Sequence, residues 1–295
     1  MENKAIGIRR ESQFSPNHIG NDRIIFDLVT AGLISHGIDI MVYDEHAFLT
    51  EKSIEHDHIF TMGRNKALVN QLKVYEEQGK KIFNSGFGIE KCYRINMVTG
   101  LINGGVPYPK SIITATGTDI AQAYELLDSQ GVWIKRGDFH AIHREDVSFV
   151  SSREEAQHIV NEYAFRGIQS AVLSEHLAGD LVKFYGVRDT DFFHWFYPYD
   201  HNHHKYALYE DINGKSAHYP FNTSDLQKTA ETAAKLLEVF IYGGDAIIDR
   251  NGNFHIIDLN DWPSFAPCRE EATAAITQLL LKKFADNQPS TMLKQ

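Results

Sequence analysis

The sequence predicts an α/β unit followed by an α+β unit built on antiparallel strands. Three observations carry that prediction. Strand-like and helix-like apolar patterns alternate through residues 1–90, two capping boxes start helices further on, and an Asn-Gly pair near the end separates two strand-like runs. Alternation of strand and helix is the pattern of a parallel, Rossmann-like sheet.

KAIGI (4–8) reads as the first strand. In NDRIIFDLVTAGLISHG the apolar residues Ile24, Ile25, Leu28, Val29 and Leu33 follow helix spacing, with Asn21 or Asp22 as cap and Gly37 as stop. IDIMVYD (38–44), HIFTMG (58–63) and KIFNS (81–85) read as further strands, with a helix over 66–79 between the last two. A helix around 90–103 leads into GGVPYPKS, whose glycines and prolines mark a boundary. GVWIKRGD (131–138) and VSFVSS (147–152) read as strands, and Ser152 with Glu155 forms a capping box that starts a helix. SAVLSEHL (170–177), LVKFYGV (181–187) and FFHWFYPY (192–199) read as strands again. Ser224 with Gln227 forms the second capping box, and a last helix covers about 269–285.

Composition bounds the function. At 295 residues the chain holds one large domain or a few small ones. Its formal charge of -10, from 29 basic and 39 acidic residues, argues against a nucleic-acid or anionic-membrane surface, although a local basic cluster could still bind a phosphate. Cys92 and Cys268 form no CxxC pair, so neither a disulfide framework nor a zinc finger is expected. No apolar run approaches the roughly 18 residues of a membrane span. The apolar core of MENKAIGIRRES is too short for a signal peptide, and the expected compartment is the cytoplasm.

The chemistry concentrates in GGDAIIDRNGNFHIIDLNDWPSF (243–265). Asn251-Gly252 is a strong two-residue hairpin turn, because both residues tolerate positive φ. Counting outward from that turn puts Asp245 directly opposite Asp258, and Asn260, two residues further, on the same face. Opposed carboxylates destabilise a sheet unless a cation relieves them. A hard cation such as Mg²⁺ takes such oxygens; the alternatives are a strand end in solvent or a lysine that neutralises the pair. Asp249 reads as a plain turn residue.

Taken in order, these segments resemble the ATP-grasp superfamily, which includes D-alanine–D-alanine ligase, glutathione synthetase, the ribosomal-protein glutamate ligases and the inositol polyphosphate kinases. The resemblance covers essentially the whole chain. It implies a Rossmann-like front domain over 1–90, an N-terminal grasp subdomain over 91–177 and a C-terminal subdomain over 178–295 carrying the metal hairpin. ATP would lie between the two subdomains. It also implies that Asp245, Asp258 and Asn260 hold Mg²⁺, or Mn²⁺, on the triphosphate. In WIKRGD, Lys135 matches the lysine that reaches the phosphates. Glu175 in VLSEHLAGD would face the adenine amino group, His176 and Leu177 would lend backbone groups, and Asp180 would take the ribose hydroxyls. Lys183 resembles a basic residue aimed at phosphate or substrate, and Arg94 stands where a lysine normally contacts phosphate. Ser264 and Arg269 are candidates for an anionic substrate, with helix entry and capping as their alternative.

The departures are specific. Arg94 brings a planar fork in place of a point charge. Asp258 replaces the usual glutamate, GDFHAIHRED lacks the glycines of a mobile phosphate lid, and Gly243 stands where many ligases carry an arginine for the acyl phosphate. The resemblance implies an ATP- and Mg²⁺-dependent ligase joining a carboxylate to an amine through an acyl phosphate, with Lys135, Arg94 and Lys183 as its cations. The partners would be small-molecule or peptide substrates, with no nucleic acid and no membrane, and a homodimer is compatible with it. The alternatives are a small-molecule kinase of the inositol-phosphate type and a nucleotide-binding protein without turnover. His201, His203 and His204 form a cluster read as a loop at a pocket mouth, and His140 and His143 fall in the expected lid.

Overall fold

The computed structural model describes residues 4–15, 19–51, 53–127, 129–198, 212 and 214–286. At the front, Lys4–Arg9 (β1), Asp39–Asp44 (β2), His58–Thr61 (β3) and Lys81–Phe83 (β4) form a parallel sheet in the order β2-β1-β3-β4. Ala5, Ile6 and Ile8 are buried in consecutive stretches of β1, as a strand covered on both faces requires. Helix α1 (Ile19–Ser35) begins before the expected caps. Asn21 and Asp22 lie in its first turn, where Asp22 meets Arg10 at 3.0 Å and favours the positive end of the helix. Gly37 does close it, at φ 82°, with its N–H on the Ile34 carbonyl at 2.9 Å.

Helix α2 (Glu45–Leu49) has no counterpart in the sequence reading, because five residues are too few to show a helical period. Its Glu45 carboxylate is fully buried and accepts the N–H groups of Glu11 and Arg64 at 2.9 Å and of Asn65 at 2.6 Å. The carboxyl edge of the front sheet, where open α/β sheets bind ligands, thus holds an internal carboxylate. Helix α3 (Lys66–Glu77) starts on the Asn65 side chain, which accepts from Ala67 N. The helix expected around 90–103 is two helices, α4 (Gly86–Lys91) and α5 (Arg94–Asn103). The break lets α4 pack close: a Cβ on Gly88 would lie 2.5 Å from the Glu238 carbonyl oxygen.

A second, antiparallel sheet runs β5-β8-β6-β7, from Ser111–Ala115 (β5), Val132–Arg136 (β6), Val147–Val150 (β7) and Ser170–Glu175 (β8). Helices α6 (Ala121–Leu127) and α7 (Arg153–Phe165) cover one face. Ser152 caps α7 as expected, accepting Glu155 N at 3.2 Å. The third sheet, also antiparallel, runs β10-β9-β11-β12, from Asp180–Val187 (β9), Phe193–Phe196 (β10), Ile241–Ile248 (β11) and Phe254–Asp261 (β12). Its core face packs on α5 and on α8 (Thr223–Leu236). Asn222, rather than Ser224, caps α8: its side chain accepts Ser224 N at 3.0 Å and Asp225 N at 3.3 Å. Helix α9 (Arg269–Ala285) returns to the front, where Ile276 and Leu280 share one apolar cluster with Phe26, Val29 and Leu33 of α1. No helix among the described residues is long and apolar enough to cross a membrane.

Asn84, fully buried after β4, ties the front sheet to the third. Its amide donates to the Ile241 carbonyl at 2.6 Å and accepts the N–H groups of Phe240 at 2.8 Å and Ile241 at 2.9 Å. Asn84→Ala strands the N–H groups of Phe240 and Ile241, while the Ile241 carbonyl keeps the Trp262 N–H at 2.9 Å, and is expected to cost about 2 kcal/mol in denaturant unfolding; a change below about 0.5 kcal/mol would contradict the tie.

Candidate active site

The hairpin turns where Asn251-Gly252 predicts, but with a larger loop. Asp249 N donates to the Asn253 carbonyl at 2.8 Å and Gly252 N to the Asp249 carbonyl at 3.0 Å, so three residues, 250–252, form the loop. Gly252, at φ 81°, takes the left-handed position of that turn. The Asp249 carboxylate accepts Asn251 N at 2.8 Å and Asn253 N at 2.9 Å, which makes it a turn residue. Ile248 therefore faces Phe254, one residue out of the predicted register. A β-bulge then places the extra residue Ile257 on β12 and restores the pairing, so Asp245 does lie opposite Asp258. Two irregularities cancel.

The cleft face of the third sheet carries two rows. Lys183, Asp245 and Asp258 form one across β9, β11 and β12, and Tyr185, Gly243 and Asn260 form the next. Each acid has its own cation: Lys183 pairs with Asp245, and Arg94, at the start of α5, reaches Asp258 at 2.8 Å. The lysine alternative for relieving the acid pair is thus present for Asp245. Burial favours a neutral Asp258, but Arg94 and Lys135 outweigh it and hold the carboxyl down at about 2. Lys135 on β6 is buried, and desolvation together with nearby Arg94 brings it down to about 8. Its ammonium donates to the Ile257 carbonyl at 3.2 Å, and that oxygen also accepts from Tyr108 at 3.2 Å.

Arg94, Lys135 and Lys183 outnumber the two acids, and the Nε of Arg94 is buried without a partner. This donor set suits a polyanion. No group of three His, Cys, Asp or Glu side chains converges among the described residues. A hard cation would therefore find two carboxylates and the Asn260 amide oxygen, and would need further oxygens from its ligand, as Mg²⁺ on a polyphosphate has. The residues fit that pair together better than the metal alone.

The loop after Lys135 is docked. His140 is buried with Nδ1 2.9 Å from Asn260 Oδ1 and Nε2 3.3 Å from Asp261. Phe139 packs on Phe14 and Tyr93 of the front, with ring centroids 5.9 and 4.9 Å away. Asp146 anchors the far end by accepting Ile142 N at 2.9 Å and His143 N at 3.0 Å and by pairing with Arg136 and Arg166. Burial would raise the Asp146 carboxyl, but these donors pull it below its ordinary value. Instead of glycines that flex, this loop has anchors at both ends.

At the other end of the cleft, Leu181 and Ile247 are buried with Trp133, Leu177 and Ile257 packed on them, an apolar cluster between the second and third sheets. Glu175 and His176 border it. Glu175 accepts Lys110 N at 2.7 Å, and the His176 N–H donates to the Gly131 carbonyl at 3.0 Å, so that N–H is already used within the sheet. Asp180 is buried, and its two oxygens accept Ala217 N at 2.7 Å and Tyr219 N at 2.9 Å. That use competes with ribose hydroxyls. Arg269 donates to Asn21 Oδ1 at 2.8 Å, tying α9 to α1, while Ser264 is half-buried beside it in sequence. His201, His203 and His204 lie outside the described residues.

Tyr108, Asp261, Arg10 and Arg64 also belong to the site and its surroundings, with only faint signals in the sequence. The signals were a tyrosine between two prolines, an acid directly after Asn260, and arginines just beyond β1 and β3. A buried partner, which gives each its meaning, has no local signature.

No family model matches the chain, and no curated protein matches it by sequence. Solved structures do. The RimK domain ATP-grasp protein of Sphaerobacter thermophilus is 12% identical at a TM-score of 0.64, over 94% of this chain and 99% of that one. D-alanine–D-alanine ligase from Bacillus anthracis complexed with ATP is 13% identical at 0.64, over 95% and 96%. The ATP-grasp ligase PsnB, complexed with precursor peptide PsnA2 and AMPPNP, is 14% identical at 0.61, over 97% and 100%. The chain thus has the ATP-grasp fold, with a Rossmann-like front sheet followed by two antiparallel sheets facing one cleft.

Removal of the lid anchor gives a direct check on the docked loop. Asp146→Ala is expected to cost about 2 kcal/mol, since it leaves the N–H groups of Ile142 and His143 without their acceptor and Arg166 without its carboxylate, while Arg136 keeps Asp138. Amide exchange across 137–146 should speed up well beyond that of β6. Unchanged exchange there would contradict the anchoring role.

Proposed function

We propose, on the ATP-grasp fold and the charge pattern of its cleft, an ATP- and Mg²⁺-dependent ligase that joins a carboxylate to an amine. The observation that carries this is the placement of Lys135 and Arg94 beside the opposed Asp245–Asp258 pair, between the second and third sheets. The site would lie between a subdomain over 91–177 and one over 178–295.

The apolar cluster of Trp133, Leu177, Leu181, Ile247 and Ile257 offers a flat-sided slot for a base, with Glu175 and the backbone of His176 and Leu177 at its rim. Lys135, Arg94 and Lys183 would take the phosphates. Asp245, Asp258 and the oxygen of Asn260 would hold Mg²⁺, with Mn²⁺ as a substitute of like chemistry. Bound there, the metal supplies charge neutralisation at the phosphate oxygens. Positioning and electrostatics are the main demands of phosphoryl transfer, so the scarcity of a protein nucleophile fits. The γ-phosphoryl group would pass to the substrate carboxylate, and the amine would displace phosphate from the acyl phosphate. The carboxylate and amine would be small molecules or peptide groups. D-alanine–D-alanine ligase and a ligase complexed with a precursor peptide, among the similar structures, support that range.

One observation favours a second reading, a small-molecule kinase. A Cβ on Gly243 would lie 2.6 Å from Tyr185 and 2.8 Å from Pro263. An arginine for an acyl phosphate therefore has no room at that position, and a hydroxyl acceptor would not need it.

Incubation with Mg-ATP and a pool of carboxylates, amines and polyols separates the readings. ADP with a new amide is the expected result; ADP with a phosphate ester would establish the kinase, and binding without turnover a nucleotide-binding protein. Asp258→Ala and Asn260→Ala are each expected to lower turnover by about 100-fold or more. Full turnover in both would remove the metal assignment.

A further inference from the structure

We infer that Tyr108 is a positioning residue that sets the bulge at Ile257 and, through it, the Lys135–Arg94 pair of cations. Resting on the reading of the cleft as a nucleotide site, this adds a residue to it.

Ile257 is the extra residue of the bulge, so its carbonyl has no place in the β11–β12 ladder. An unpaired carbonyl can rotate toward water unless other donors fix it. Here two donors do: Tyr108 Oη and Lys135 Nζ, each at 3.2 Å. The Arg94 guanidinium also lies close enough to act on the Tyr108 hydroxyl. One phenol thus neighbours both cations, next to Arg94 and donating to the carbonyl that holds Lys135.

The backbone around Tyr108 makes it a stiff support. Pro107 and Pro109 flank it, and each fixes its own φ and restricts the residue before it. The Pro107 carbonyl accepts Ile256 N at 2.8 Å. The Pro-Tyr-Pro segment therefore grips β12 on both sides of the irregular peptide, through Ile256 N and Ile257 O. The bulge is also the feature that returns Asp258 to the place opposite Asp245. Lys135 and Arg94 repel one another, and a hydroxyl neighbouring both lets them face one anion. Without the hydroxyl, Arg94 keeps Asp258, but the Ile257 peptide loses the donor that does not depend on Lys135.

Tyr108→Phe keeps the ring and removes only the hydroxyl. Calorimetric titration with ATP, ADP and adenosine reads the consequence. Loss of one hydrogen bond next to charged groups predicts about tenfold weaker ATP and ADP binding, with adenosine affinity unchanged. Equal loss for adenosine, or no loss for ATP, overturns the inference. If the unaltered protein binds neither ATP nor ADP, the nucleotide reading fails, and the crystal structure of unliganded Tyr108→Phe decides the rest. Displacement of Lys135 from the Ile257 carbonyl there supports the positioning role. Retention of the Lys135–Ile257 contact overturns it.

Discussion

The carboxylate of Asp261 has no access to solvent, and the assembly of the front sheet, the lid and the hairpin depends on it. Arg64, from beyond β3, reaches it at 3.2 Å, and Arg10, from beyond β1, at 3.6 Å. His140 of the lid stands 3.3 Å away. Burial alone would push this carboxyl up, but Arg64, His140 and Arg10 hold it far below the usual carboxylate range. The arginines are themselves fixed elsewhere: Arg10 donates to the Met62 and Trp262 carbonyls at 2.9 Å, and Arg64 to the Asp261 carbonyl at 2.8 Å. A buried pair of this kind is weak evidence for net stability, since desolvation offsets much of the attraction. Its force lies in specificity. Any other arrangement of the front sheet against the hairpin would leave a charge buried and alone.

The cleft next to this network uses the opposite logic. Around Asp261 the charges are shut in and matched by several partners. Around Asp258 they line the cleft wall and are biased toward the positive, with Lys135 destabilised as a cation by its own burial and by Arg94. A site arranged this way gains when a polyanion arrives, because the ligand supplies the compensation that the protein withholds. Asn260 joins the two regions. Its oxygen is taken by His140 and its amide bonds to Asp258, so the closed lid and the acid face share one side chain. A metal held on that oxygen would have to share it with His140.

Most of the fold could be read from periodicity and caps. The parallel front sheet, the Ser152 cap and the hairpin at Asn251-Gly252 all rest on local patterns that packing did not override. What escaped was short or non-local. Helix α2 and strand β5 are too brief to show a period. Asn222 takes the place of Ser224 as the cap of α8 because the helix starts at Thr223, which puts Ser224 inside the first turn with its own N–H on the Asn222 side chain. The acid row was anticipated, but Arg94 as the partner of Asp258 was not, because 164 residues of chain separate them. The ribose role of Asp180 rests on resemblance alone, and in the structure its oxygens accept the N–H groups of Ala217 and Tyr219, which are far from it in sequence.

The hairpin shows why a correct pairing can rest on the wrong count. In a strand, a slip of one residue moves every side chain to the other face. The three-residue loop makes such a slip, and alone it would put Ile257 opposite Asp245, turn Asp258 into the core and bring Leu259 out of it. The bulge makes a slip of opposite sign and brings Asp258 back. Turn and bulge therefore work only as a pair. A substitution that shortened the loop would demand loss of the bulge, and with it the free carbonyl that Lys135 and Tyr108 share. The cations of the cleft are tied by this route to a turn at the far end of the hairpin, through register rather than through contact.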